Sequence, residues 1–203
     1  MSRIVVLALL AALSAPAQAA PAKRAVPAKP VSQAVTCSLP VGPKDTFATV
    51  RQRFGAAAVR DKIAGAEGEE LDGIVLWPAD PARRLELILT DDQAHTVSSV
   101  RIIGQSRWTA GGLRLGDGLA RVQQVNGKPF KLYGFGWDYG GYVNELAGGK
   151  LDSLPGGCNL SIRFEPSPMD DYPNGISGEV TLASSDTRLR AARPVVAELS
   201  VGW

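Results

Sequence analysis

Residues 133–141 read Tyr-Gly-Phe-Gly-Trp-Asp-Tyr-Gly-Gly, and in this 203-residue chain they are the stretch best suited to recognition chemistry. Large rings alternate with glycines. Rings supply apolar contact area at low entropic cost, and glycine lets the backbone of a ligand or partner approach closely. Tyr133, Trp137, Asp138 and Tyr139 are therefore the candidate binding residues, whereas Phe135 is read as core. A competing structural reading makes the whole stretch a β-hairpin, with glycines at positive-φ turn positions and aromatics completing the core.

Other reactive residue types are poorly placed for catalysis. A lone carboxylate such as Asp138 in a glycine-rich turn more often bonds its own backbone than acts as an acid or a ligand. The pairs Asp91-Asp92 and Asp170-Asp171 lack the D-x-[DN]-x-[DN]-G spacing that wraps oxygens around calcium, so they are read as solvated turns. His95 is the only histidine. It follows an acidic turn with no G-x-S-x-G elbow in the chain, and is read as solvent-exposed. No catalytic residue, metal site or cofactor is assigned, and the chain is read as non-enzymatic.

Cys37 and Cys158 are the only cysteines, and an even count in an exported chain predicts a disulfide between them. Two widely separated cysteines beside one histidine lack the local spacing of a zinc site. Export is read from the first 19 residues: Arg3 is the positive n-region, Ile4 to Leu13 the short apolar run, and Ala17-Gln18-Ala19 the small-x-small cleavage pattern. An apolar run of about ten residues is too short to cross a bilayer, and charges interrupt every later hydrophobic segment, so no integral membrane segment is expected in the mature chain. A periplasmic or secreted location follows from this reading. The chain has 22 basic and 20 acidic residues. Losing Arg3 with the leader leaves 21 against 20, a net charge of +1, which provides no footprint for nucleic acid.

The elements that must position these residues follow from punctuation and period. Residues 20–36, rich in Ala, Pro and Lys, are read as a flexible linker, and residues 37–110 and 111–203 as two related units. The division rests on an internal recurrence: Asp45, Phe47, Val50, Phe54 and Gly55 return as Asp117, Leu119, Val122, Asn126 and Gly127 at a constant offset. Each set predicts a compact helix with Asp45 or Asp117 as N-cap and Gly55 or Gly127 in the left-handed conformation at the C-terminus. Strand-like runs follow: 73–77, 85–89 and 97–103 in the first copy, then 130–135, 142–145, 160–165, 179–182 and 195–201 in the second. The expected fold class is α+β, with two tandem helix-plus-antiparallel-sheet units packed as one compact domain.

The second copy, with Gly116, Val122, Gly127 and Pro129, resembles the G-x-x-x-x-x-V-x-x-x-x-G-x-P signature of SmpA/BamE-type outer-membrane assembly lipoproteins. Tandem β-lactamase inhibitor proteins are similar in carrying two such units. The match covers about a dozen residues per copy, and the first copy has Ala57 where the second has Pro129. Unlike the lipoproteins, this chain has no cysteine beside the predicted cleavage site. The segment 127–141 also resembles exported proteins of Gram-negative bacteria, a likeness that implies a location and no activity.

What these resemblances imply is a binding or scaffold protein that contacts an envelope protein or peptide. The alternatives are an envelope hydrolase with carboxylates assembled from distant segments, or a binder of sugars or peptidoglycan fragments through Trp137 and Tyr139. A hydrolase requires converging carboxylates in a cleft, a sugar binder coplanar exposed rings, and a protein binder a flat apolar patch with a polar rim.

Overall fold

Alternation along the strands decides the architecture, because a strand sends successive side chains to opposite faces. Leu160, Ile162 and Phe164 are buried while Ser161 between them is exposed, and Leu199 and Val201 are buried around Ser200. Such strands build a sheet with one apolar and one polar face. The structure is a computed structural model and describes residues 33–91, 93–167 and 173–203. The predicted leader, most of the predicted linker, Asp92 and the Asp170-Asp171 pair lie outside the described residues.

The elements run β1 (Ala34–Val35), α1 (Phe47–Phe54), β2 (Ala58–Ala64), β3 (Glu70–Leu76), β4 (Leu85–Leu89), β5 (Val97–Ile102), β6 (Thr109–Ala110) and β7 (Leu113–Arg114). They continue α2 (Leu119–Asn126), β8 (Lys131–Tyr133), β9 (Val143–Glu145), β10 (Asn159–Glu165), β11 (Thr181–Ala183), α3 (Thr187–Ala191) and β12 (Val195–Gly202). Six strands form an antiparallel sheet in the order β10-β12-β5-β4-β3-β2. Two smaller sheets, β1-β6-β7 and β11-β8-β9, complete the fold. One face of the large sheet buries Ile74, Leu76, Leu85, Leu87, Val100, Ile102, Ile162, Phe164, Leu199 and Val201. Val50 of α1, Val122 of α2 and Leu132 and Leu182 of the small sheets join the same cluster.

This arrangement corrects the expected α+β class of two helix-plus-sheet units. Among the described residues strands account for 37% and helices for 16%, so the fold is mostly β. Two physical causes separate expectation from outcome. The helices are short: α1 and α2 have eight residues each, and each buries a single apolar side chain completely. Moreover, the strands of the second copy do not assemble a sheet equivalent to the first. β12 and β10 extend the first copy's sheet, whereas β8 and β9 pair in a separate one.

The predicted helix starts shift by one residue. Thr46 caps α1 through a reciprocal box with Thr49, and Gly118 precedes α2 without a side-chain cap. Asp45 instead ties the approach to α1, accepting from the Gly42 amide at 2.9 Å, from Thr49 Oγ1 at 2.8 Å and from Arg53. Gly127 does close α2 in the left-handed region, at φ 77°, whereas Gly55 closes α1 at φ 57° and ψ −134°, outside the left-handed helical region. All eight strand-like runs overlap strands, although β8 covers only the middle of 130–135 and β11 begins two residues into 179–182. β2 was not foreseen, because at the sheet edge its Arg60, Asp61 and Lys62 are all exposed and erase the alternation; charge on an edge strand discourages pairing with another chain.

Cys37 and Cys158 form the predicted disulfide, with their Cα atoms 5.4 Å apart. The bond ties the segment before α1 to the start of β10, and the Trp203 indole N–H donates to the Cys37 carbonyl at 3.0 Å beside it. Such a linkage is compatible with a location outside the cytoplasm. Among the described residues no helix is long and apolar enough to cross a membrane. Because the bond closes a 121-residue separation, replacing both cysteines with alanine is expected to lower unfolding free energy by roughly 4–5 kcal/mol. Urea titration with and without reductant measures this, and an unchanged midpoint under reduction contradicts it.

Candidate functional site

The polar face of the large sheet is left open, and its side chains are set by the same alternation that fills the core. β4 contributes Glu86 and Ile88, β5 Arg101, β12 Glu198 and Ser200, and β10 Ser161, Arg163 and Glu165. The register places Glu86 opposite Arg101, Arg101 opposite Ser200, Ser200 opposite Ser161, and Glu198 opposite Arg163. Directly opposed residues on one face are close neighbours, so this row forms a continuous polar floor. Above it lies a trough of about 1010 Å³. One wall is the tip of the β2–β3 hairpin, residues 64–68 with Leu71; another is Trp137, Asp138 and Tyr139.

Charges in the floor are paired unequally. Glu86 is only 5% exposed and receives Arg101 Nη2 at 2.6 Å, Arg101 Nε at 3.0 Å and Arg84 Nη2 at 2.9 Å. Arg101 Nη1 also donates to the Ala64 carbonyl at 2.8 Å, pinning the hairpin tip to the floor. Removing one partner from a buried network of this kind leaves an uncompensated charge, typically costing about 3–5 kcal/mol. Arg163 pairs with Glu165 at 3.0 Å and donates to the Gly140 carbonyl at 3.3 Å.

Glu198 is less well provided for, with one hydrogen bond, accepted from Tyr142 Oη at 3.3 Å, among the described residues. Burial pushes its carboxyl above the usual carboxylate range, against the pull of Arg101 and Arg163, and the nearby Glu86 adds to the rise. Burial raises the Tyr142 hydroxyl as well, with the Glu198 charge reinforcing it.

The aromatic-glycine segment is a tight loop following β8. The Gly134 amide donates to the Val180 carbonyl, the Phe135 amide to Ile176 and the Gly140 amide to Trp137, each at 2.8 Å. A Cβ on Gly134 would stand 2.7 Å from the Gly178 carbonyl oxygen, and one on Gly141 would overlap the Phe164 carbonyl, so backbone packing requires glycine at both positions. Trp137 is anchored by its indole N–H to the Gly134 carbonyl at 2.9 Å. Tyr133 and Tyr139 flank its ring at centroid distances of 5.6 and 5.4 Å, with interplanar angles of 73° and 61°. Edge-on rings at these angles form a faceted wall with no coplanar platform.

The sequence-derived candidates are thus brought to one place with different parts to play. Trp137, Asp138 and Tyr139 line the trough, Tyr139 being 53% exposed. Tyr133 packs behind Trp137, and Phe135 is buried. Sequence reasoning missed Tyr142, Arg101, Arg163 and Glu198. A signal existed for part of this set, since the polar complement of Leu160-Ile162-Phe164 is Ser161-Arg163-Glu165, but charged strand positions resemble ordinary solvated ones until the facing strands are known. His95 is exposed in the turn between β4 and β5. Among the described residues no three His, Cys, Asp or Glu side chains converge as metal ligands.

The chain matches no protein-family model, no curated protein and no solved structure significantly.

The Glu198 geometry has a consequence for stability. A carboxyl whose folded pKa exceeds its unfolded value binds more protons in the folded state, so its contribution falls as pH rises through that interval. Asp45 and Asp186 act in the opposite sense: their carboxyls are lowered, Asp186 to about 2, and their contribution is lost as pH falls. Glu198→Gln is therefore expected to gain stability relative to the parent at neutral pH, with the gain vanishing in acid below the ordinary carboxylate range. Paired urea titrations from pH 3 to 8 test the difference; a gain that is constant across pH, or a loss at neutral pH, contradicts it.

Proposed function

We propose that this chain is an exported, non-enzymatic binding protein that holds a segment of an envelope protein or peptide in the trough on the open sheet face. The observation that carries the reading is the convergence of half-buried Trp137 and exposed Asp138 and Tyr139 with the polar faces of four strands on one trough. An extended peptide offers alternating side chains and backbone polar groups, which suits a floor of Ser161, Ser200 and charged residues beside a wall of rings. The rigid frame supports the same reading, since rings held by backbone hydrogen bonds lose little entropy on contact.

A sugar platform is less well supported, because the Trp137 and Tyr139 rings stand at 61° to one another. Hydrolytic chemistry is also less well supported, because Glu86 and Glu165 are held in ion pairs with arginines, which leaves Glu198 as the one floor carboxylate outside an ion pair, with Asp138 and Glu67 at the rim. Location outside the cytoplasm belongs to this proposal, resting on the leader-like first 19 residues and the disulfide.

Affinity capture from an envelope fraction tests the reading, comparing the parent with a Trp137→Ala/Tyr139→Ala variant whose fold is verified by circular dichroism. A specific protein or peptide retained by the parent and reduced at least ten-fold by the variant is the expected result. Equal recovery by both proteins places the functional surface elsewhere.

A further inference from the structure

The charge lining the trough indicates the chemistry of its occupant. Four acidic side chains, Glu67, Asp138, Glu165 and Glu198, face two basic ones, Arg101 and Arg163, a net of −2. Both arginines are already committed, Arg101 to Glu86 and the Ala64 carbonyl, Arg163 to Glu165 and the Gly140 carbonyl. The carboxylates that remain to meet a ligand are Glu198 in the floor and Asp138 and Glu67 at the rim. A carboxylate has about four acceptor sites. Glu198 fills one of them with a 3.3 Å bond, from Tyr142. The same trough is lined by the rings of Trp137 and Tyr139, whose faces attract cations.

Resting on the binding reading above, we infer that the trough selects a cationic side chain, a lysine or arginine on an extended segment of the partner, with Glu198 accepting the ion pair. A cation here supplies the hydrogen bonds that Glu198 lacks, in partly dry surroundings where charge-assisted bonds are strong. An anionic ligand would meet two guanidiniums already occupied and three carboxylates facing it. A neutral sugar would donate hydroxyl hydrogen bonds to Glu198 but leave the net charge of −2 in the trough uncompensated.

The test uses the purified protein and the synthetic peptide Gly-Lys-Gly-Lys-Gly-Lys-Gly, with counterparts carrying glutamate or serine in place of lysine. Binding is followed by the NMR resonance of the Trp137 indole N–H, identified with Trp137→Phe. The lysine peptide is expected to shift this resonance saturably, with affinity falling several-fold between 0.05 and 0.5 M salt. Glu198→Gln is expected to weaken binding at least ten-fold. Asp138→Asn, at an exposed rim position that leaves the sheet floor untouched, is expected to weaken it two- to three-fold and guards against a folding defect in the floor variant.

The inference is overturned if the serine or glutamate peptide shifts the resonance as strongly, if both carboxylate variants bind like the parent, or if no peptide binds. The two readings can fail separately. Capture that depends on Trp137 and Tyr139 while the lysine peptide fails leaves the binding role and removes the cationic preference; loss of both removes both.

Discussion

The pairing of β12 with β5 is the interaction on which the remaining structure depends. Leu199 lies opposite Ile102, Ser200 opposite Arg101, Val201 opposite Val100 and Gly202 opposite Ser99. This seam joins a strand from the C-terminal end of the chain to the middle of the first meander, and β10 then adds beyond it. Without it the first meander would end at β5 as an open edge. With it, one face becomes wide enough to hold a single apolar core, and the opposite face becomes wide enough to hold a trough.

Register makes the two faces inseparable. Because the side-chain period of a strand is two, the pairing that buries Leu199 and Val201 also places Ser200 in the floor, and a one-residue slip would invert both faces. The Glu86 network adds a second constraint on the same seam. Arg101 lies on β5 between Glu86 of β4 and Ser200 of β12, while its other nitrogen holds the hairpin tip. The wall, floor and core of the site are therefore set by one set of strand pairings. The aromatic loop is held twice, by backbone bonds to residues 176–180 and by β10, whose Phe164 amide and Arg163 side chain donate to the Gly141 and Gly140 carbonyls.

Legibility in the sequence followed the range over which each feature is determined. Strands β3, β4, β5, β10 and β12 were readable because apolar side chains fall on one face over five or more residues. The disulfide was readable from a count. Helix positions were readable from residue spacing, although the caps moved from Asp45 and Asp117 to Thr46 and Gly118, since several polar residues compete for the same terminal amides. The sheet order was not readable: nothing local in Val195–Gly202 states that it pairs with residues 99–102 and with β10. The error of two helix-plus-sheet units arose there, through extension of a local recurrence around α1 and α2 into a recurrence of whole sheets.

The site divides in the same way. The stretch from Tyr133 to Gly141 announced itself by composition, and Trp137, Asp138 and Tyr139 do face the trough. Glu198, Arg163 and Arg101 look like ordinary surface charges along the chain and acquire meaning only when three strands bring them together. Tyr142 was set aside as part of a strand run, and its hydroxyl meets Glu198 across a separation of 56 residues.

The central claim is that the open sheet face, and no other surface, is where this protein meets its partner. Site-specific photocrosslinking addresses it most directly, with a benzophenone side chain placed at exposed Tyr139 beside the trough or at exposed Gln124 on α2. In an envelope fraction, the account predicts one discrete adduct from position 139 and none from position 124. Adducts from position 124 alone, or equal yields from both, would contradict it.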